Sequence, residues 1–306
     1  MTMEILLATY NGANYLPEQL DSILAQTDPD WHLTISDDGS TDDTARIIDE
    51  YVEKNPGKIE RVILGKTFGN ARDHFVEMIR RSDAPWCFLC DQDDTWIPEK
   101  IAKFREAIDQ AETGFGADTP FLIFCDQIPT DAELKPVAES LMRYQKQYTE
   151  EFDYRSILMQ NVVTGGAMAF NRALAEMALE CKDFSKVIMH DWWMAAVAAR
   201  FGQIIYLNEP LGTYRQHSEN AVGAKAVGSV SYAKDRMSKL GEVCETIRKK
   251  KTQTALFRDT YRSRLTGKDL EFLDGFAKKR SGPGFYWKYG KLIHGVERKV
   301  GMTLLG

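Results

Sequence analysis

Two rhythms of apolar and polar positions alternate along the chain up to residue 110. Residues 3–10, 31–36, 59–64 and 86–90 are short apolar runs closed by polar turn residues, a pattern that predicts strands. The run 86–90, Trp-Cys-Phe-Leu-Cys, has no polar side chain and predicts a strand buried on both faces. Between these runs, residues 15–26, 41–54, 71–81 and 98–110 predict amphipathic helices. In the first, Leu16, Leu20, Ile23 and Leu24 fall on one face. Ser40 and Asp43 stand in capping-box spacing ahead of the second. After Pro120 the rhythm loosens. Residues 121–126 predict a strand, Ala167 to Phe170 an apolar run, 192–201 a helix, and 203–207 a late strand. From about Ser229 the chain is rich in Lys and Arg and predicts helices, broken at Ser281-Gly282-Pro283-Gly284 before Phe285-Tyr286-Trp287-Lys288-Tyr289. No internal repeat or low-complexity segment is present. The alternation predicts an α/β fold with a mostly parallel sheet, covered by helices and joined by right-handed crossovers.

Charge divides the chain at one point. Residues 1–224 hold 20 Lys and Arg against 37 Asp and Glu, whereas 225–306 hold 19 against 8, within a net charge of −6. An acidic body of residues 1–224 with a basic helical appendage over 225–306 is therefore expected, and 306 residues suffice for both. The body argues against nucleic acid as the main partner. The tail suits anionic lipid headgroups or an anionic acceptor, with a set of solvated Lys-rich helices as the alternative. Phe285, Tyr286, Trp287 and Tyr289 beside Lys288 and Lys291 add an aromatic and basic pattern suited to a membrane interface. No stretch approaches 18 uncharged apolar residues, and the polar N-terminus does not read as a signal peptide. Five cysteines without framework spacing point to a reducing cytoplasm. Cys87 and Cys90 form a CxxC, but residues three apart on a strand face opposite sides and cannot share a metal.

Every polar cluster of the first half falls where a predicted strand ends, the edge at which such sheets bind ligands. Thr9-Tyr10-Asn11-Gly12 follows the first strand, Asp37-Asp38-Gly39-Ser40 the second, and Asp91-Gln92-Asp93-Asp94 the fourth. Crowding Asp91, Asp93 and Asp94 at the end of a buried strand costs several kcal/mol unless a cation neutralises them. Such hard oxygen ligands suit Mg²⁺ or Mn²⁺ with substrate phosphates completing the shell. An acidic turn after a core strand is the plainer alternative.

Ala8-Thr9-Tyr10-Asn11-Gly12, Ser36-Asp37-Asp38-Gly39-Ser40-Thr41-Asp42, Cys90-Asp91-Gln92-Asp93-Asp94-Thr95-Trp96, His190-Asp191-Trp192-Trp193 and Tyr214-Arg215-Gln216-His217-Ser218-Glu219-Asn220 stand in that order. In them the chain resembles a family-2 inverting glycosyltransferase of the GT-A fold, most similar to rhamnosyltransferase-like enzymes of bacterial surface polysaccharide assembly. The resemblance spans roughly residues 3–223 and implies a nucleotide-sugar donor. It implies donor contacts by Thr9, Tyr10, Asn11, Gly165 and Asp91. Asp38 resembles the acid that reads the N3–H shared by uracil and thymine, with Asp37 as the alternative. Asn70 and Arg72 match a segment near the donor, where Arg72 suits phosphate oxygens and Asn70 could only cap a helix. Asp91 and Asp93 align with the metal-binding DXD motif, Asp93 as direct ligand. Asp94 touches sugar hydroxyls or caps the helix after Pro98. Arg215 and His217 sit where such enzymes close over the diphosphate, His217 as a third metal ligand or phosphate donor. Asp191 is the candidate general base, a helix cap at the same time, with Trp192 and Trp193 for the acceptor.

The implied partners are a dTDP- or UDP-sugar and a saccharide or lipid-linked saccharide acceptor, for a cytoplasmic protein in peripheral contact with the inner face of the membrane. A nucleotidyltransferase acting on a sugar phosphate would carry Lys or Arg in a Gly-rich first loop, and residues 8–16 contain neither. A non-catalytic sugar-nucleotide binder would have no use for Asp191 beside an intact metal motif.

Overall fold

The computed structural model describes residues 2–147, 151–217, 240–278, 285, 288 and 289. In chain order the elements are β1 (Met3–Thr9), α1 (Leu16–Leu24), β2 (Trp31–Asp37), α2 (Thr44–Lys54), β3 (Ile59–Val62), α3 (Ala71–Arg81), β4 (Trp86–Asp91), α4 (Lys100–Phe115) and β5 (Phe121–Thr130). There follow α5 (Leu141–Tyr144), α6 (Tyr154–Met159), β6 (Met168–Asn171), α7 (Arg172–Ala178), α8 (His190–Phe201) and β7 (Gln203–Arg215), then helices Leu240–Thr260 and Gly267–Ala277. One seven-stranded sheet runs β3-β2-β1-β4-β6-β5-β7. The first four in that order are mutually parallel, β6 is antiparallel to both its neighbours, and β7 is parallel to β5.

Alternation along the strands sends side chains to two apolar layers. On β1, Met3, Ile5 and Leu7 enter one layer with α1, α2 and α4, and Leu6 enters the other with α3 and α6 to α8. Each fully buried Leu, Ile or Phe contributes about 1.5–3 kcal/mol, so burial on both faces holds the sheet between its helices. On β4, Cys87 and Cys90 lie in opposite layers, as period-two geometry requires.

The boundaries that differ do so for local reasons. The second helix begins at Thr44, not 41, and Asp43 makes no side-chain cap bond. Asp42 instead accepts from the Thr44 N–H at 3.1 Å, and Ser40 turns back to donate to Asp37, so the Ser40–Asp43 capping box does not form. Strands β5 and β7 outrun their apolar segments because they pair with each other through a register shift beside Asp126.

The described part of the basic tail packs into the α3 and α6–α8 layer. Phe257, Tyr261, Phe272 and Phe276 are fully buried there, with the Phe257 and Tyr261 rings 5.6 and 5.9 Å from Trp193. Thr266 and Asp269 form a capping box, and Asp269 accepts from Arg200 at 2.6 Å and from the Tyr154 hydroxyl at 2.8 Å. Phe285 and Tyr289 pack on Phe272 at 5.7 and 5.1 Å, and Lys288 pairs with Glu271. The break at 281–284, Tyr286, Trp287, Lys291 and Ser218-Glu219-Asn220 lie outside the described residues. Among the described residues no helix is long and apolar enough to cross a membrane.

Candidate active site

Sheet register builds the first wall. Pairing of β1 with β2 and β4 sets Thr9 beside Asp37 and Ala8 beside Asp91 at one edge. Thr9 is buried and donates its hydroxyl to Asp37 at 2.9 Å, a tie between the two strands. Asn11, at φ +47°, accepts from the Thr41 N–H at 2.8 Å and so also holds a turn. Tyr10 is different. Its ring is 55 % exposed, and Gln92 fixes its backbone by accepting from its N–H at 2.9 Å and donating to its carbonyl at 3.0 Å. Asp38 is buried and accepts from the Phe68 and Gly69 N–H groups at 2.6 and 2.8 Å, tying the loop before α3 to the strand ends. Each of its oxygens keeps a second lone pair. Asn70 is the N-cap of α3, accepting from the Asp73 N–H, the plainer of its two expected roles. The Arg72 guanidinium, expected at the diphosphate, is engaged by Asp73 at 2.8 and 2.9 Å and by the Val187 carbonyl at 2.8 Å.

The carboxylates form the floor. The end of β7 is drawn to them by Thr95 and Thr213, whose backbone and hydroxyl groups bond across at 2.8 and 2.9 Å. A Cβ on Gly212 would stand 2.7 Å from the Thr95 carbonyl, so glycine is needed for this approach. The result places His217 Nε2 2.8 Å from an Asp93 carboxylate oxygen, with the imidazole stacked 4.4 Å from the Tyr15 ring. Arg215 is buried, donates to the Asp93 and Ala132 carbonyls at 2.7 and 2.8 Å, pairs with Glu18, and lies over Tyr15. It organises the carboxylate turn. Asp94 does not cap α4. Its oxygens accept from the Arg215 N–H at 2.9 Å and the Gln127 amide at 3.1 Å. Burial, with Asp93 and Asp91 nearby, pushes Asp94 well above the usual carboxylate range. Burial, then Asp93 and Asp191, push Asp91 up to about 7.

This donor set fits a divalent cation. Paired Asp93 and His217 offer an oxygen and a nitrogen, and a cation would relieve the mutual repulsion that raises Asp91 and Asp94. Asp91 does not join them as a close third ligand. Among the described residues, the group whose ligating atoms all lie within 4.8 Å of one another is Glu4, His32 and Glu60, at the opposite end of the strands.

Gly165 and Gly166 separate this floor from Asp191. A Cβ on Gly166 would lie 2.7 Å from an Asp91 oxygen and 3.3 Å from one of Asp94, while one on Gly165 would lie 3.9 Å from an Asp191 oxygen. At Gly166 a Cβ would collide with Asp91, so only glycine fits there, whereas a Cβ at Gly165 would make ordinary contacts. The Gly166 carbonyl accepts from Lys100 Nζ at 3.0 Å, a fully buried lysine whose ammonium also lies 4.0 Å from the Trp96 ring centre. Asp191 sits in the first turn of α8, whose N-cap is Met189, so it is not the cap. Its carboxylate accepts from the Trp192 N–H at 2.6 Å and the Asn161 amide at 3.3 Å. Burial pushes it up to about 7 against those bonds. Trp193 is fully buried, with its indole N–H on the Ala178 carbonyl, and so belongs to the core and not to an acceptor surface. Trp192 is half-buried, with Lys250 Nζ 5.5 Å from its ring centre.

The family model described as "Glycosyl transferase family 2" matches residues 4–177. The chain belongs to that family. It is 29 % identical over 242 residues to the dTDP-rhamnosyl transferase RfbG of Shigella flexneri, covering 74 % of this chain and 76 % of that one. Among solved structures, S. aureus TarS 1–349 in complex with UDP superposes with a TM-score of 0.60 at 15 % identity, over 95 % of this chain and 72 % of that one. The mannosyltransferase PcManGT from Pyrobaculum calidifontis, in complex with GDP-Man and Mn²⁺, gives 0.55 at 15 % identity, over 98 % and 71 %. The fold is thus that of GT-A glycosyltransferases, and the chain is a glycosyltransferase.

Within this family-2 enzyme, sequence reasoning missed Gln92, Lys100, Gln127 and Asn161. Gln92 stood inside the DXD segment and could have been found there. Lys100 and Asn161 carry no signal, because their polar atoms face partners that only the folded chain supplies.

Proposed function

We propose that this chain is an inverting, divalent-metal-dependent glycosyltransferase that transfers rhamnose from dTDP-rhamnose to a saccharide hydroxyl in bacterial surface polysaccharide synthesis. The observation that carries the reading is the placement of Asp191 and the Asp91/Asp93 motif on either side of Gly165-Gly166, which leaves backbone, without side chains, between a base and a leaving-group site. Asp191 accepts the proton of the acceptor hydroxyl. The resulting oxygen attacks the anomeric carbon, and the bond to the diphosphate breaks with its electron pair on the departing oxygen. A Mg²⁺ or Mn²⁺ ion, when held by Asp93 and His217, would offset the charge developing on that diphosphate. Burial keeps Asp191 near the pH at which it both ionises and accepts a proton. Tyr10 offers an open ring to the nucleotide, and Asp38 or its neighbour Asp37 accepts the pyrimidine N3–H. Trp192 is the aromatic left for the acceptor.

The dTDP-rhamnose assignment draws on the likeness to RfbG and on an acid that reads uracil and thymine alike. Incubating the chain with dTDP- and UDP-sugars and a saccharide acceptor, with Mn²⁺ or Mg²⁺, tests it. The expected result is release of dTDP and a product of inverted anomeric configuration by NMR. Retained configuration, or release from UDP-sugars alone, contradicts it. The acceptor is a lipid-linked saccharide at the cytoplasmic face, approached through exposed Arg248 and Lys249 of the basic helix. Each such charge near anionic lipid is worth about 1 kcal/mol. Salt-sensitive co-sedimentation with anionic vesicles is expected, and equal pelleting with neutral vesicles contradicts it.

A further inference from the structure

We propose that Arg72 and Gln253 clamp the single peptide leading into the catalytic helix and act as positioning residues for Asp191. The inference rests on the reading of Asp191 as the base. The Val187 carbonyl accepts from Arg72 Nη1 at 2.8 Å, and the Ile188 N–H, the other polar group of the same peptide, donates to Gln253 Oε1 at 2.8 Å. The two side chains come from distant elements. Arg72 stands in the first turn of α3 and is itself oriented by its two-point pair with Asp73. Gln253 is fully buried on helix Leu240–Thr260, which lies beyond the part of the chain that matches the family model.

The start of α8 needs such a device. Its N-cap, Met189, has no side chain able to accept from the first turn, and Asp191 is not a cap. The direction in which α8 leaves its loop therefore depends on how the preceding peptide is held. A planar peptide fixed at both its carbonyl and its N–H cannot rotate about its flanking bonds without breaking a hydrogen bond. Arg72 also links this peptide to the donor side. Asp38 holds Gly69, Asn70 caps α3, and Arg72 stands in the first turn that this cap begins. The clamp thus sets the base in register with the nucleotide-binding loop.

Gln253→Met in the full-length chain removes the acceptor while keeping side-chain volume. Hydrogen exchange at the amides of 187–193 should quicken. The kcat should fall by about 10- to 100-fold, the cost of a slightly misplaced catalytic group. The donor KM and nucleoside diphosphate affinity should stay within about twofold, since ground-state binding is not involved. Arg72→Met attacks the other end and keeps the test open should the buried Gln253 variant not fold. It should give the same signature, and the double variant should be little worse than either single one. Phe272→Leu serves as a control for stability, lowering the thermal midpoint without altering turnover or exchange at 187–193. Unchanged exchange in the clamp variants, or faster exchange with parental kcat, overturns the proposal. So does Arg72→Met weakening diphosphate binding while Gln253→Met is silent, which would return Arg72 to the phosphates. Failure of the underlying reading is seen separately: Asp191→Asn at the parental rate would remove the base whatever the exchange data show.

Discussion

The two halves of the sheet deliver functional groups by different means. In β3-β2-β1-β4, parallel strands run to one edge, where register sets Thr9 beside Asp37 and Ala8 beside Asp91, with Tyr10 and Asp38 one residue further on. Around β6-β5-β7, the corresponding groups stand on a short 3-10 turn at Gly165-Gly166, in the first turn of α8 at Asp191, and beyond the end of β7 at His217. These are held by bonds between residues far apart in the chain, such as Arg215 N–H to Asp94 and Ile188 N–H to Gln253. A donor site built into a sheet tolerates loss of its neighbours. A face assembled from several separate elements answers to substitutions well outside it.

The comparison breaks first at the junction of the halves. Asp93 belongs to the turn after β4 but pairs with His217 beyond β7. Asp93→Ala should abolish transfer and remove the tightening of nucleoside diphosphate binding by Mn²⁺, measured by calorimetry with and without metal. Full activity in excess EDTA would separate the halves and refute metal dependence.

A smaller effect is confined to the donor half. Asp38→Ala should weaken dTDP and UDP binding by about 1.5–3 kcal/mol, the range for a hydrogen bond to a charged group. Its loop bonds to Phe68 and Gly69 are lost as well, so Asp38→Asn, which keeps one acceptor oxygen, should be milder. Unchanged affinity in both variants assigns the pyrimidine to Asp37.

The smallest effect should appear in stability and only in the assembled half. Burial alone would raise Asp269, but Arg200, Thr266 and Tyr154 hold its carboxyl below the usual range. A depressed folded pKa contributes stability above the unfolded carboxylate value, lost as pH falls through that range toward the folded value. Asp269→Asn should therefore cost about 1–3 kcal/mol at neutral pH. Its stability, by denaturant titration, should decline less in acid than that of the parent. Parallel pH profiles would remove the Arg200–Asp269 pair from the account.

Legibility in the sequence follows the same division. Strand and helix order through α4 could be read from periodicity, because β1, β2 and β4 are short, largely apolar and closed by polar turns. The edge bearing Asp38, Asp91 and Asp93 followed from those turns. Direction was not legible: nothing in the chain tells an arginine that meets phosphate from Arg72 or Arg215, whose donors meet carbonyls and carboxylates inside the protein. Trp193 and Trp192 are adjacent in sequence, yet Trp193 is fully buried against Phe257 and Tyr261 while Trp192 packs half-buried on the same layer. Lys100 sits on an amphipathic helix where lysine ordinarily meets water. The Gly166 carbonyl, the Trp96 ring and the nearby Asp91 and Asp94 accompany it in its burial.

The most direct test is the pH dependence of kcat for the parent and for Asp191→Asn, under saturating donor and metal. Because Asp191 must be ionised to accept the acceptor proton, and burial raises it to about 7, turnover in the parent should rise through that pH on an acid limb. In Asp191→Asn the limb should vanish and kcat should fall by about 10²–10⁴-fold with donor affinity retained. A limb at the ordinary carboxylate value, or the same limb and rate in the variant, would place the base elsewhere.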